Sequence, residues 1–150
     1  MYTIEEYDKE KTKVLKYIMY KKRTQREIKI KFKSQIEENL LEDIMQDLKE
    51  NGYINDENYI ERSINEFMAL KNLSLKEIKY KLMSKGVSNH LIEEYIQEHE
   101  EELNTYEKKS ADNIVLKKSV NMDEIEIKQY LAKKGYTEES IRNAIEKIEE

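Results

Sequence analysis

The chain carries three near-copies of one helix opening. Thr24, Ser74 and Asp123 are each followed at the third position by Glu27, Glu77 and Glu126, and then by Ile28, Ile78 and Ile127. Four residues further on stand Phe32, Leu82 and Leu131. Corresponding positions lie 50 and then 49 residues apart, so the whole chain reads as three copies of one unit. Self-similarity at a fixed period of this length marks a repeat architecture. A short polar residue with Glu at the third position beyond it is a capping box, in which each side chain satisfies a backbone N–H that the first helical turn leaves unpaired. Apolar residues four apart then share one helix face.

Each copy divides into three helices. In the second copy, Asp56 reads as the N-cap of a helix bearing Tyr59, Ile60, Ile64, Phe67 and Met68 at helical spacing. The next helix runs from Ser74 to about Lys85 and stops at Gly86, where a left-handed residue is expected. Ser88 caps a third helix with Leu91, Ile92, Tyr95 and Ile96 on its stripe. The third copy repeats the order, with its first helix expected over Asn104–Ser119, then Leu131, Gly135, Thr137 as cap, Ile141 and Ile145. The first copy has Val14, Leu15 and Ile18, then Thr24–Lys33, then Leu41, Ile44, Met45 and Leu48; it is one residue shorter, and Ile36 stands where Gly86 would be. The expected fold is all-α, an elongated array of three tandem three-helix repeats forming one domain over 1–150, with units at 8–55, 56–102 and 103–150. Such short helices are marginal alone, so the units must gain stability from packing on their neighbours.

Composition narrows the function classes. Charged residues make up 39% of the chain, against about 25% in an ordinary domain, and only 38% is apolar, a lean core that suits a stack better than a sphere. With no cysteine there is no disulfide, thiolate metal site or cysteine nucleophile. Neither a signal-peptide pattern nor an apolar run of membrane-spanning length is present, so a cytoplasmic protein is expected. His90 and His99 stand alone among acids and polar residues and read as surface residues, and no phosphate loop or nucleophile motif occurs. Asp56 and Glu57 could be offered as an acid pair, but capping explains Asp56 as well. The expectation is a protein that is not an enzyme and has no metal or cofactor.

The net charge of −5 hides alternating bands. Residues 1–33 hold 11 Lys and Arg against 5 acids, 34–69 hold 2 against 10, 70–89 hold 5 against 1, and 90–107 hold none against 7. The cations gather on the second helices: Arg26, Lys29, Lys31 and Lys33 in the first copy, and Lys76, Lys79, Lys81 and Lys85 in the second. Lys29, Lys79 and Lys128 are repeat-equivalent, and each follows the inward Ile and so points away from the core. Such a line of cations is either a solvated helix face or a docking face for phosphates or an acidic protein. Glu37, Glu38, Glu42, Asp43 and Asp47 on the neighbouring helix would repel DNA, and so favour a protein partner. The tyrosines Tyr59, Tyr80, Tyr95 and Tyr130 fall near apolar stripes, where packing explains them better than base stacking.

Between the first and second copies, Gly52-Tyr53-Ile54-Asn55-Asp56-Glu57-Asn58-Tyr59 resembles the signature of the RecX family of RecA regulators: glycine, tyrosine, aliphatic, Asp or Asn, Asp, Glu, any, aromatic. The family is similar in its tandem three-helix repeats with leucine four residues before glycine, as in Leu82–Gly86 and Leu131–Gly135, and in a basic pair before a small polar residue, here Lys22-Arg23-Thr24. Together these cover about Asp8–Glu150. Ile60 replaces the usual alanine after the aromatic. The resemblance implies a modulator that lies along the groove of the RecA nucleoprotein filament, inhibiting ATP hydrolysis, strand exchange and filament growth in recombination, repair and the SOS response. Expected contacts are Arg26, Lys29, Lys33, Lys76, Lys79, Lys85 and Lys128, while Gly52, Tyr53, Asp56, Tyr59, Gly86 and Gly135 are assigned mainly to structure. Many relatives are basic, so a charge of −5 implies weak or no direct nucleic-acid binding, and a monomer is expected. The other readings are a DNA-binding helical module, favoured by the basic first third, or a helical scaffold for another protein.

Overall fold

The structure, a computed structural model, describes residues 1–149. Among them are nine α-helices and no strand: α1 Ile4–Tyr20, α2 Gln25–Phe32, α3 Glu38–Glu50, α4 Asp56–Leu70, α5 Leu75–Ser84, α6 Asn89–Glu98, α7 Glu100–Lys118, α8 Glu124–Lys134 and α9 Glu138–Glu149. They pack as trios, α1–α3, α4–α6 and α7–α9, and each trio surrounds a separate apolar cluster. The clusters centre on Ile28, Ile44 and Leu48, on Ile60, Ile78, Leu82 and Ile92, and on Ile127, Leu131 and Ile145. The accessible surface is 10199 Å², where a compact chain of 18.1 kDa would expose about 8,000 Å². The array is therefore extended.

The three capping boxes form as the sequence predicts, at Thr24, Ser74 and Asp123. A fourth, Thr3 with Glu6, opens α1. Two helix starts differ from expectation. The N-cap of α4 is Asn55, whose side chain accepts from the Asn58 N–H; Asp56 is the first helical residue. Helix α7 begins at Glu100, four residues before Asn104, directly after α6, and its first turns lend Leu103 and Tyr106 to the core of the second unit.

Gly86 and Gly135 occupy the left-handed region, with φ of 89° and 96°, and end their helices in Schellman turns. The following Val87 and Tyr136 N–H groups donate to the Leu82 and Leu131 carbonyls. Gly52, at φ 82°, closes α3 in the same way, with the Tyr53 N–H donating to the Leu48 carbonyl. The first unit corrects the sequence alignment. Ile36 is buried and its N–H donates to the Phe32 carbonyl, so it matches Val87 and Tyr136, and the glycine is deleted rather than replaced.

Candidate functional site

The second helices meet end to end. The Thr24 hydroxyl at the start of α2 accepts from the Glu27 N–H and donates to the Lys85 carbonyl at the end of α5, at 2.6 Å. The Ser74 hydroxyl at the start of α5 likewise accepts from Glu77 and donates to the Lys134 carbonyl at the end of α8, at 2.8 Å. Positive and negative helix ends thus abut at both junctions. A carboxyl group from the following unit completes each joint: Asp56 accepts from the Gln25 N–H and Glu107 from the Leu75 N–H. The glycines allow this approach, because a Cβ on Gly86 would lie 2.5 Å from the Arg26 side chain and one on Gly135 2.8 Å from that of Lys76.

The two joints are unequal. Glu107, almost wholly buried, also accepts from Thr137 N–H and from the Thr137 and Ser140 hydroxyls. Tyr106 and Ser110 both donate to the Leu73 carbonyl, and Asn113 reaches that of Lys71. Burial raises the Tyr106 and Tyr136 hydroxyls above the usual phenol range. At the first joint Asp56 stands nearly alone, and burial pushes its carboxyl above the ordinary carboxylate value against the Gln25 hydrogen bond. Glu107 was not singled out from the sequence. Its place 51 residues after Asp56, against 49 for the caps, hides the equivalence.

The candidate contact residues divide by environment. Lys29 and Lys33 line a groove of about 500 Å³ between α2 and α3, floored by Ile30, Ile36, Leu41 and Met45, with Glu38 and Glu42 on its far rim. Lys128 lines the corresponding groove of about 450 Å³ between α8 and α9, with Ala132, Ile141 and Ile145 as floor and Glu138 and Arg142 on the rim. In the middle unit Lys79 is ion-paired with Glu93, which stands at the position of Glu42 and Arg142. Lys128 also pairs with Glu124, at 3.2 Å. Arg26 and Lys76 are exposed at their tips but press their stems on Gly86 and Gly135. Lys85 is the exposed C-cap residue of α5, with its carbonyl engaged by Thr24. The structure thus brings Lys29 with Lys33, Arg26 with Gly86, and Lys76 with Gly135, and leaves Lys128 in a separate groove.

The signature residues cluster with cations. Gly52, Tyr53, Asn55, Asn58 and Tyr59 line a recess of about 220 Å³ between the first two units, together with Lys22, Arg23 and Arg62. Tyr53 is 49% exposed, whereas Tyr59 is half-buried beneath the Lys22 ammonium. Tyr95 and Tyr130 are also half-buried, but Tyr80 is exposed and packs little. His90 pairs with Glu94 on the surface, and His99 is half-buried, stacked on Tyr95 at the junction of α6 and α7. Among the described residues no three His, Asp or Glu side chains are grouped to hold a metal, and no helix is long and apolar enough to cross a membrane.

No protein-family model matches the chain. It is similar to the regulatory protein RecX of Staphylococcus carnosus, 28% identical over 139 residues, covering 90% of this chain and 52% of that protein. Against regulatory protein RecX of Clostridioides difficile it is 25% identical over 148 residues, covering 96% and 70%. The likeness to RecX of Streptococcus agalactiae serotype III is 34% over 85 residues, covering 55% and 33%. The chain thus spans about half the length of the Staphylococcus carnosus relative and a third of the streptococcal one. The crystal structure of RecX from Lactobacillus salivarius shares its fold at a TM-score of 0.83 and 24% identity, over 98% of this chain and 99% of that one. A second RecX crystal structure matches at 0.77 and 21%, over 94% and 73%. The chain is thus similar in sequence to regulatory RecX proteins along nearly its whole length, and it shares the all-helical array of the RecX crystal structures.

Proposed function

We propose that this chain regulates RecA by docking on the RecA–single-stranded DNA filament. It acts in the cytoplasm as a monomer, without catalysis or cofactor, and suppresses ATP hydrolysis, strand exchange and filament growth. The observation that carries this reading is the recurrence of one groove in two units: Lys29 and Lys128 rim apolar-floored grooves at equivalent positions of the first and third trios. An array that repeats a docking groove suits a partner that repeats its subunits, because modest contacts add when their spacing matches and vanish together when it changes. Arg26, Lys33, Lys76 and Lys85 extend the cationic face, while Lys79 must first exchange Glu93 for a partner carboxylate. A surface pair of that kind is worth only about 0–1 kcal/mol, so the exchange is cheap.

The test is ATP hydrolysis by RecA on single-stranded DNA, titrated with the chain from far below to above the RecA concentration. Inhibition at substoichiometric amounts is expected, weakened about tenfold or more by Lys29→Glu with Lys33→Glu, and less by Lys79→Glu. No inhibition, together with no binding to the filament, would remove the RecA assignment. Binding to bare duplex DNA that needs no RecA and falls steeply with salt would instead favour the DNA-binding module.

A further inference from the structure

We infer that the recess between the first two units, bounded by Lys22, Arg23 and Arg62 and faced by Tyr53, is a binding subsite for a nucleotide phosphate. Three cations converge there from two units, and no Asp or Glu is among the residues that line it. None of the three is ion-paired among the described residues. Aromatic faces hold two of them instead: the Arg23 guanidinium lies 4.1 Å from the centre of the Tyr17 ring, and the Lys22 ammonium 5.4 Å from that of Tyr59. Cation–π support fixes a cation without using up its N–H donors, which a carboxylate partner would do. The Arg23 Nε is buried with no hydrogen-bond partner. Unmet donors of this kind are costly unless an acceptor arrives.

The local field points the same way. Burial first, and then the neighbouring Arg62 charge, hold the Lys22 ammonium below its usual range, with Glu66 opposing from the same helix as Arg62. An oxyanion between Lys22 and Arg62 turns mutual repulsion into shared attraction. Arginine favours phosphate through its forked donors, and the half-exposed Tyr53 ring beside the cations offers a base a face to stack on. A Cβ on Gly52 would meet nothing within 4 Å, so the floor beside Tyr53 is open. The inference needs no RecA and stands or falls apart from the RecA reading. One subsite on a chain of net charge −5 gives weak binding by itself. Its ligand would clamp the joint that has fewer hydrogen bonds.

The source is a free nucleotide or the end of a single strand, and the probes separate them. The full chain is titrated at low salt with inorganic phosphate, ADP and a fluorescein-labelled thymidine 12-mer, following backbone amide shifts, anisotropy and melting temperature. ADP and the 12-mer should shift the Tyr53, Lys22 and Arg62 amides and raise the melting temperature. The double variant Lys22→Ala, Arg62→Ala should lose at least tenfold in affinity while its far-ultraviolet spectrum stays unchanged. Tyr53→Ala should weaken ADP but not inorganic phosphate, and Lys109→Ala, at an exposed position of α7 that does not line the recess, should change neither. A 12-mer bound tenfold tighter than ADP identifies a strand, and the reverse a free nucleotide. Absence of shifts with all three probes, equal binding by the double variant, or tighter binding of a poly-glutamate peptide would overturn the assignment.

Discussion

At the scale of single residues, Ser74 and Asp123 open equivalent helices but do different work. Ser74 both accepts from its own helix and donates to the Lys134 carbonyl, whereas Asp123 only accepts. Serine and aspartate cap isolated helices about equally well. Ser74→Asp should nevertheless destabilise the protein by about 1–3 kcal/mol, because a carboxylate would face a carbonyl, while Asp123→Ser should change the urea midpoint little. The glycines separate in a similar way. Gly52→Ala should cost only the left-handed strain of about 1–2 kcal/mol, since nothing lies near its Cβ. Gly86→Ala should cost about 1–3 kcal/mol more from overpacking on Arg26. Tyr7 offers a test in pH. Its hydroxyl donates to Asp47 at 2.8 Å, and burial, with that bond, pushes it up to about 12. A raised folded value means that this contribution is whole below the unfolded value of about 10 and is lost as pH climbs through about 12. Asp47 is held low, first by its hydrogen bond from Lys11 and then by that from Tyr7, so its share is lost at the acid end as pH falls through its folded value. Absorbance at the tyrosinate band should lose the contribution of one late-titrating tyrosine in Tyr7→Phe, while those of Tyr106 and Tyr136 remain.

At the scale of helices, the repeated boxes and glycines could be read because capping is local: side chain and backbone group lie within four residues of each other. The start of α7 could not. Its N-terminus has no side-chain cap, and it continues from α6 through His99, held there by stacking on Tyr95. Ile36 misled for a related reason, since counting residues cannot tell a replaced glycine from a deleted one, and only the shared hydrogen bond to Phe32 does. The acids that cap a neighbouring unit's helix make long-range contacts 31 and 32 residues apart, silent in any local pattern. Glu107→Gln should cost about 1–3 kcal/mol or more, because an amide nitrogen would meet some of the four donors that now converge on the carboxylate. Thermal melting of this variant beside Asp56→Asn should show the larger loss for Glu107.

At the scale of the whole molecule, three apolar clusters, joined by the crossed caps and by the Leu103 and Tyr106 that α7 lends to the second, make a quasi-linear array whose units can loosen one at a time. The joint between the second and third trios carries more side-chain hydrogen bonds than that between the first and second. Native-state hydrogen exchange should therefore be faster at Gln25 than at Leu75, although both N–H groups are capped by an acid of the next unit. Equal protection would show that the two joints open together. The number of helix trios, the capped starts of their second helices and the inward faces could be read from the chain, because each rests on spacing within a few turns. The end-to-end meeting of the second helices, the crossed capping by Asp56 and Glu107, the neutralising of Lys79 by Glu93 and the gathering of Lys22, Arg23 and Arg62 around the signature tyrosines could not. Those depend on which unit's surface meets which, and packing between repeats settles that through contacts far apart in the chain, where side-chain spacing carries no information.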